Sequence, residues 1–199
     1  MAIIKGTSGN DNLGKTLNGT GAADEIYGFA GQDTLIGFDG NDVLDGGTGA
    51  DELFGSNGFD IASYRNSKQG VAIDLGEFFF HGGEAEGDTL YSIEGVIGSA
   101  RTDYLRGDDE RNVLRGGAGE DFLQGRGGND VLSGGDGRDI LVGDEGADEF
   151  RGDGGTDFVE YYGSPSGVTV NLATGRGTGG DAEGDRYVSI EAVQGSFFA

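Results

Sequence analysis

The chain contains no cysteine, one proline and one histidine among 199 residues. Without cysteine it has neither a disulfide framework nor a thiolate metal site. A lone histidine and no thiol also leave little for zinc to bind. Scarce proline, with glycine at no strict third position, excludes collagen. Basic residues are few as well: 13 Lys plus Arg stand against 36 Asp plus Glu, a formal net charge of −23. The basic face that nucleic acid requires is missing, so no nucleic-acid partner is expected. Anionic membrane surfaces are disfavoured for the same reason, and no apolar run is long enough for a membrane span. Residues 1–6, MAIIKG, lack the charged-then-apolar layout of a signal peptide, which removes the usual N-terminal export route and no other. Neither an HExxH zinc helix nor a GxSxG elbow occurs.

What the chain has instead is glycine, 44 residues of it, and acid. Hydrophobic residues make up 35%, low for a packed globule of this length. An acidic, glycine-rich composition ordinarily means disorder, and self-repulsion at this charge opposes compaction. Divalent cations are the natural counter-charge. The plainer view, an acidic solubility face, fails on the spacing of the acids.

That spacing is nine residues. From Gly37 the sequence runs GFDGNDVLD, from Gly46 GGTGADELF and from Gly55 GSNGFDIAS, with GTGAADEIY from Gly19 and GFAGQDTLI from Gly28 upstream. A cleaner array runs GGAGEDFLQ from Gly116, GRGGNDVLS from Gly125, GGDGRDILV from Gly134, GDEGADEFR from Gly143 and GDGGTDFVE from Gly152. The template is Gly-Gly-x-Gly-x-Asp-x-U-x, with U large and apolar. Weaker units keep the phase at Gly98 (GSARTDYLR), at Gly107 (GDDERNVLR, with Asn112 for Asp) and at Gly6 (GTSGNDNLG), and residues 15–18 look like a shortened unit.

A longer repeat lies above the short one. Asp60 aligns with Asp157 at an offset of 97 residues, and without a gap GVAIDL at Gly70 meets GVTVNL at Gly167, GGEAEGD at Gly82 meets GGDAEGD at Gly179, and SIEGVIGS at Ser92 meets SIEAVQGS at Ser189. Two tandem modules follow: residues 1–98, with an array over 6–63 and a capping or spacer segment over 64–98, and residues 99–199, with an array over 99–160 and a spacer over 161–199. Module one runs from Ser99 into a new array, whereas the sequence ends at Phe197-Phe198-Ala199. The expectation is a parent protein that continues with further modules.

The physics of one unit predicts the fold. Closely spaced glycines admit backbone angles closed to other residues, so each unit opens with a tight turn. The x-U-x that follows is a short strand with one inward apolar side chain. Two units complete a coil, and stacked coils give an all-β fold, a parallel β-roll or right-handed β-solenoid. Its core is the U column: Ile26, Leu35, Leu44, Leu53, Leu105, Leu114, Leu123, Leu132, Leu141, Phe150 and Val159. One apolar side chain per nine residues, at about 2 kcal/mol each, does not offset about 1–2 kcal/mol of backbone entropy per residue. The sixth-position aspartates are the remaining source of stability. Asp24, Asp42 and Asp60 stack on one edge and Asp33 and Asp51 on the other; in module two the rows are Asp103, Asp121, Asp139 and Asp157, then Asp130 and Asp148. Carboxylates at strand spacing, about 4.8 Å, repel unless cations lie among them. Carboxylates with turn carbonyls form an all-oxygen cage that suits Ca²⁺ better than Mg²⁺.

These units resemble the repeats-in-toxin (RTX) family, the haemolysin-type calcium-binding nonapeptide; the repeat is itself a standard example of its kind. The resemblance implies that each ion lies between successive turns on one edge, bridged by the eleven aspartates just named. It also implies roughly six to ten ions, an extracellular setting and bacterial type I secretion. Asn112 and residues 15–18 depart from the pattern, which puts ion sites there in doubt.

The segments between arrays carry alternating strands such as Val71-Ala72-Ile73-Asp74-Leu75 and are expected to continue or cap the roll. Asp88 and Asp185 read more simply as turn residues than as ligands of a further ion. His81 has Thr178 as its module-two counterpart, a poor pattern for a catalytic residue, and no acid pair stands apart from the repeat. The expected function is calcium-induced folding of a secreted scaffold or secretion-associated module, not an enzyme. The alternatives are an ancillary module beside a catalytic domain of a larger secreted protease or alginate epimerase, or an adhesive module for extracellular polysaccharide. The last would use Tyr64, Tyr161, Tyr162 and Phe78–Phe80 as an aromatic face, against which edge packing is the simpler account.

Overall fold

The computed structural model describes residues 3–9, 12, 13 and 22–198, the side chains of 12 and 13 excepted. The shortened unit at 15–18, part of the unit from Gly6 and the first residues of the unit from Gly19 lie outside them. The chain is an all-β solenoid with two strand-bearing faces. On the first face nine parallel strands form one continuous ladder: Ile3–Lys5, Glu25–Tyr27, Val43–Asp45, Ile61–Ser63, Gly95–Ile97, Val113–Gly119, Val131–Gly137, Glu149–Gly155 and Arg186–Val188. The second face holds two sheets. Asn12–Leu13, Thr34–Asp39, Glu52–Asn57 and Thr89–Tyr91 form one; Ala72–Asp74, Tyr104–Arg106, Phe122–Gly127, Ile140–Glu145, Phe158–Glu160 and Ala192–Gln194 form the parallel part of the other.

Within an array each strand pairs with the one 18 residues on, as Val113 with Val131 and Val131 with Glu149. This is the two-unit coil that the nine-residue period predicts. All eleven U residues of the sequence are buried, none more than 1% exposed. They form a single core with Ile73, Leu90, Val96 and Tyr64, which the spacer contributes.

The spacers continue the roll, but not at the same step. Ile61 pairs with Gly95, Glu52 with Thr89 and Ala72 with Tyr104, steps of 34, 37 and 32 residues. The excess is a hairpin in which Ala72–Asp74 runs antiparallel to Phe79–His81. A 3-10 turn, Gly83–Ala85, then returns the chain to the second face. Module two repeats the device with Thr169–Asn171, Arg176–Thr178 and the 3-10 turn Gly180–Ala182. Ala85 and Ala182, fully buried, are small enough for these turns to sit on the core.

The insertion exchanges the faces. Asp60 leads into Ile61–Ser63 on the first face, while its sequence equivalent Asp157 leads into Phe158–Glu160 on the second. The aspartate rows follow suit. Asp24, Asp42 and Asp60 share an edge with Asp130 and Asp148, and Asp33 and Asp51 share the other with Asp103, Asp121, Asp139 and Asp157.

Nine of the described turns carry a glycine of positive φ at their fourth position, whereas the units from Gly19, Gly98 and Gly107 have Ala22, Arg101 and Glu110 there. Gly137 has φ of +153°, and a Cβ there would overlap the carbonyl oxygen of Gly119 one coil before. Strain of this kind costs about 1–3 kcal/mol, so Gly137→Ala should lower the melting temperature by about 2–12 °C. Gly163→Ala, whose Cβ would meet only Asp144 Oδ1 at 4.0 Å, should leave it within about 2 °C. Thermal melts of the two variants in one buffer check the contrast.

Candidate metal centre

Among the described residues, the sixth residue of each unit sits where a turn becomes a strand, and burial of the following U residue draws it inward. Asp33, Asp42, Asp51, Asp60, Asp103, Asp121, Asp130, Asp139, Asp148 and Asp157 are all at most 2% exposed, and Asp24 is 7% exposed. Ionised carboxylates are almost never found so deep unless paired.

Half of each carboxylate is accounted for. The Asp24 amide donates to Asp42 Oδ1 (2.7 Å), Asp42 to Asp60 (2.8 Å), Asp33 to Asp51 (2.8 Å), Asp103 to Asp121 (2.8 Å), Asp121 to Asp139 (2.9 Å), Asp139 to Asp157 (3.0 Å) and Asp130 to Asp148 (2.8 Å). Within a row each of these aspartates thus caps the amide of its predecessor one coil earlier, and the rows are bonded ladders. The other oxygen is left over. Oδ2 of Asp42, Asp51, Asp60, Asp121, Asp130, Asp139, Asp148 and Asp157 is buried without a hydrogen-bond partner. A buried acceptor left unmatched costs about 1–3 kcal/mol, more when charged, and eight in register are not an accident of packing.

These oxygens point into the turns. At Gly37 an added Cβ would collide with Asp42 Oδ2 and lie 2.7 Å from the carbonyl oxygen of Gly55 in the next turn. The first glycine therefore clears a space bordered by a carboxylate oxygen and a carbonyl oxygen of successive turns. The residue after it is held in the left-handed region even where it is not glycine: Phe29, Phe38, Ser56, Arg126, Asp144 and Asp153 have φ between 65° and 81°. Such strain marks a backbone conformation that the turn imposes. Oxygen donors alone, some of them carboxylate, are a hard-cation set and fit Ca²⁺.

Electrostatics agree. Burial pushes Asp148 up to about 8, with Asp185, Asp130 and Asp144 as added like charges. Burial likewise lifts Asp121 and Asp130 to about 7, and Asp51, Asp60 and Asp139 to about 6. Without a cation the rows resist full ionisation at neutral pH.

Two turns are built differently. In the unit from Gly98 the Ser99 amide donates to Asp103 Oδ2 (2.6 Å), and the Ser99 hydroxyl reaches both carboxylate oxygens. In the unit from Gly107 the Asp108 amide donates to Asn112 Oδ1 (2.8 Å). Each sixth-position side chain closes its own turn. Beside the second of these lies a guanidinium: Arg126 Nη1 and Nη2 reach Asp74 Oδ1 (2.8 Å) and Oδ2 (2.7 Å), and Nη1 also reaches Gly107 O (2.9 Å). A carboxylate and a turn carbonyl meet a positive charge there that the chain itself carries.

The repeat spacing does not reveal how the rows end. The amides of Asp51 and Asp148 donate to Oδ1 of Asp88 and Asp185, both at 2.8 Å. The second oxygens of these residues take the hydroxyls of Tyr64 (3.0 Å) and Tyr161. Asp88 and Asp185 are thus fully bonded row ends. Tyr64 and Tyr161, each 2% exposed, lie in the core and not on an exposed aromatic face: their hydroxyls are needed inside. His81 stands on the exposed side of the hairpin, 3.2 Å from Glu86.

Comparison with known families agrees with this geometry. The profile of the RTX calcium-binding nonapeptide repeat matches four times, over residues 16–37, 31–62, 97–132 and 124–159, more than half of the chain. The chain belongs to the RTX calcium-binding nonapeptide repeat family. Its RTX turns are calcium-binding turns, and the open oxygens lie within or directly beside the matched stretches. The hairpins and 3-10 turns fall outside them. No curated protein matches the chain.

The raised pKa values imply a pH dependence for the metal-free RTX fold. A carboxyl whose folded pKa exceeds its ordinary 3.8 binds its proton more tightly in the folded chain. Stability is then highest at low pH and falls as pH rises towards the folded value. With Asp148 at about 8 and Asp121 and Asp130 at about 7, chelated protein should gain β-structure as pH falls from about 8 to about 5. Circular dichroism in EDTA across that range checks it; a flat or opposite profile contradicts the assigned shifts.

Proposed function

We propose that this protein is a calcium-folded structural module of a secreted bacterial protein, a scaffold and not an enzyme. The observation that carries this is the register of eight buried, open carboxylate oxygens along two edges of one solenoid. The ligands are Asp24, Asp33, Asp42, Asp51, Asp60, Asp121, Asp130, Asp139, Asp148 and Asp157, with Asp103 contributing the most weakly because Ser99 already engages its carboxylate.

When bound, the ion supplies positive charge between carboxylates that otherwise repel by about 3–4 kcal/mol per neighbouring pair at an effective dielectric constant of about 20. The residues do the rest. Amides hold one oxygen of each carboxylate, glycines clear the other, and the U column fixes the spacing of the turns. Since the site is not preformed in an unfolded chain, binding free energy becomes folding free energy. A net charge of −23 then keeps the chain expanded where calcium is scarce and lets it fold where calcium is abundant. That behaviour suits a chain exported unfolded, as the resemblance to type I substrates implies. A non-catalytic role is supported by the acids being accounted for by the rows and by His81 having no counterpart in module two.

A calcium titration followed by circular dichroism tests this. We expect a steep coil-to-β transition with Ca²⁺, none with Mg²⁺ at the same concentration, and full reversal by EDTA. Asp139→Ala, which removes a ligand and the cap of the Asp121 amide, should move the midpoint several-fold upward. A chain fully folded after exhaustive chelation at pH 7.5 would overturn the proposal.

A further inference from the structure

Two short segments outside the repeats reproduce the far half of a calcium turn. In each module the sequence Ser-Ile-Glu, at Ser92 and again at Ser189, lies outside the matched stretches. The Asp60 amide donates to Glu94 Oε2, and the Asp157 amide to Glu191 Oε2, both at 2.8 Å. This is the ladder bond that the next aspartate makes elsewhere. The backbone follows the same rule: Gly95 N donates to Asp60 O (2.9 Å), as Ile61 N does to Asp42 O (2.8 Å). Val96 then occupies the U position, fully buried.

The carbonyl is replaced as well. In a regular turn the space beside Gly37 is bordered by Asp42 Oδ2 and by the first-glycine carbonyl of the unit one coil on, Gly55 O. Beside Gly55 the same space is bordered by Asp60 Oδ2 and by Ser92 O, and beside Gly152 by Asp157 Oδ2 and Ser189 O. Ser92 and Ser189 adopt φ of 51° and 53°, the left-handed turn that brings those carbonyls round. Asp60 and Asp157 are 0% exposed, and their Oδ2 atoms are unpartnered. The turn is shorter than a nonapeptide turn, with two residues rather than five from carbonyl to carboxylate, and Glu is one methylene longer than Asp. The longer side chain makes up the reach.

We infer that Ser92 O and Glu94 with Asp60, and Ser189 O and Glu191 with Asp157, each form a further calcium site that closes a row at the spacer. The contrast at the other row ends supports this. Asp88 and Asp185 have both carboxylate oxygens engaged by protein donors, whereas Glu94 and Glu191, which cap Asp60 and Asp157, accept from a protein donor through Oε2 of each.

The inference rests on the calcium reading above, and ion counting separates the two. Native mass spectrometry of the full chain at saturating Ca²⁺ gives the number of ions per folded molecule. Glu94→Gln and Glu191→Gln keep side-chain length and an amide acceptor but remove the charge. Each should bind one ion fewer than the unsubstituted chain, and the double variant two fewer. Glu191 is exposed in the last coil, so its variant stays informative even if Glu94→Gln disturbs the module junction. A folded Glu191→Gln chain with an unchanged ion count overturns the inference and leaves the aspartate rows intact. An unsubstituted chain that binds no calcium overturns both.

Discussion

Everything in this solenoid turns on how one carboxylate is divided. One oxygen is spent within the protein, on the amide of the same residue one coil earlier. The other is buried, cleared by a glycine and given no protein donor. The first bond sets the stacking of the coils and the second makes that stacking depend on charge from outside. A core of one large apolar residue per unit is too thin to carry the fold, so the edges decide whether the chain is ordered. Replacing each aspartate by a well-hydrogen-bonded neutral residue would remove the repulsion, and the unit from Gly107 shows the form this takes: Asn112 closes its own turn while Arg126 brings a resident guanidinium to Asp74 and Gly107 O. At that seam the cation belongs to the chain.

The protein thus holds three solutions to one electrostatic problem. Most rungs leave an oxygen open, the seam uses arginine and asparagine, and two row ends use a buried tyrosine hydroxyl against Asp88 or Asp185. They are distributed by position. Open rungs fill the arrays, and self-satisfied groups sit where the inserted hairpins interrupt the regular step of 18 residues. On the edges of Asp88, Asp185 and Asn112 the interruptions are therefore held by interactions that need nothing from solution, while the regular rungs and the row ends at Glu94 and Glu191 respond to it.

Much of this was legible in the sequence because the period is short and the chemistry at each phase is uniform. Position eight is apolar in every unit and buried wherever its side chain is described, so Leu35, Leu123 and Phe150 could be assigned to the core by counting. Position six could be assigned to the edge in the same way. Counting failed where the count changes. Glu94 and Glu191 sit in a contracted turn with a longer side chain, so neither spacing nor residue type announces them, although their recurrence 97 residues apart is a signal that could have been weighed. Tyr64 and Tyr161 follow the last strand of an array, where a ring can turn outward or inward; packing in the core and the need to satisfy Asp88 and Asp185 turn it inward. The hairpins were hidden because their strands alternate like any others, and only pairing reveals that one runs backwards.

The exchange of faces across the spacer has an architectural corollary. Sequence-equivalent side chains of the two modules, such as Glu52 and Glu149, look out from opposite sides of the molecule. Any ornament that evolution places once per module is thereby displayed front and back in alternation, and a module count of even parity leaves the two sides equally furnished. Duplication at this length makes a plank with two like surfaces instead of one.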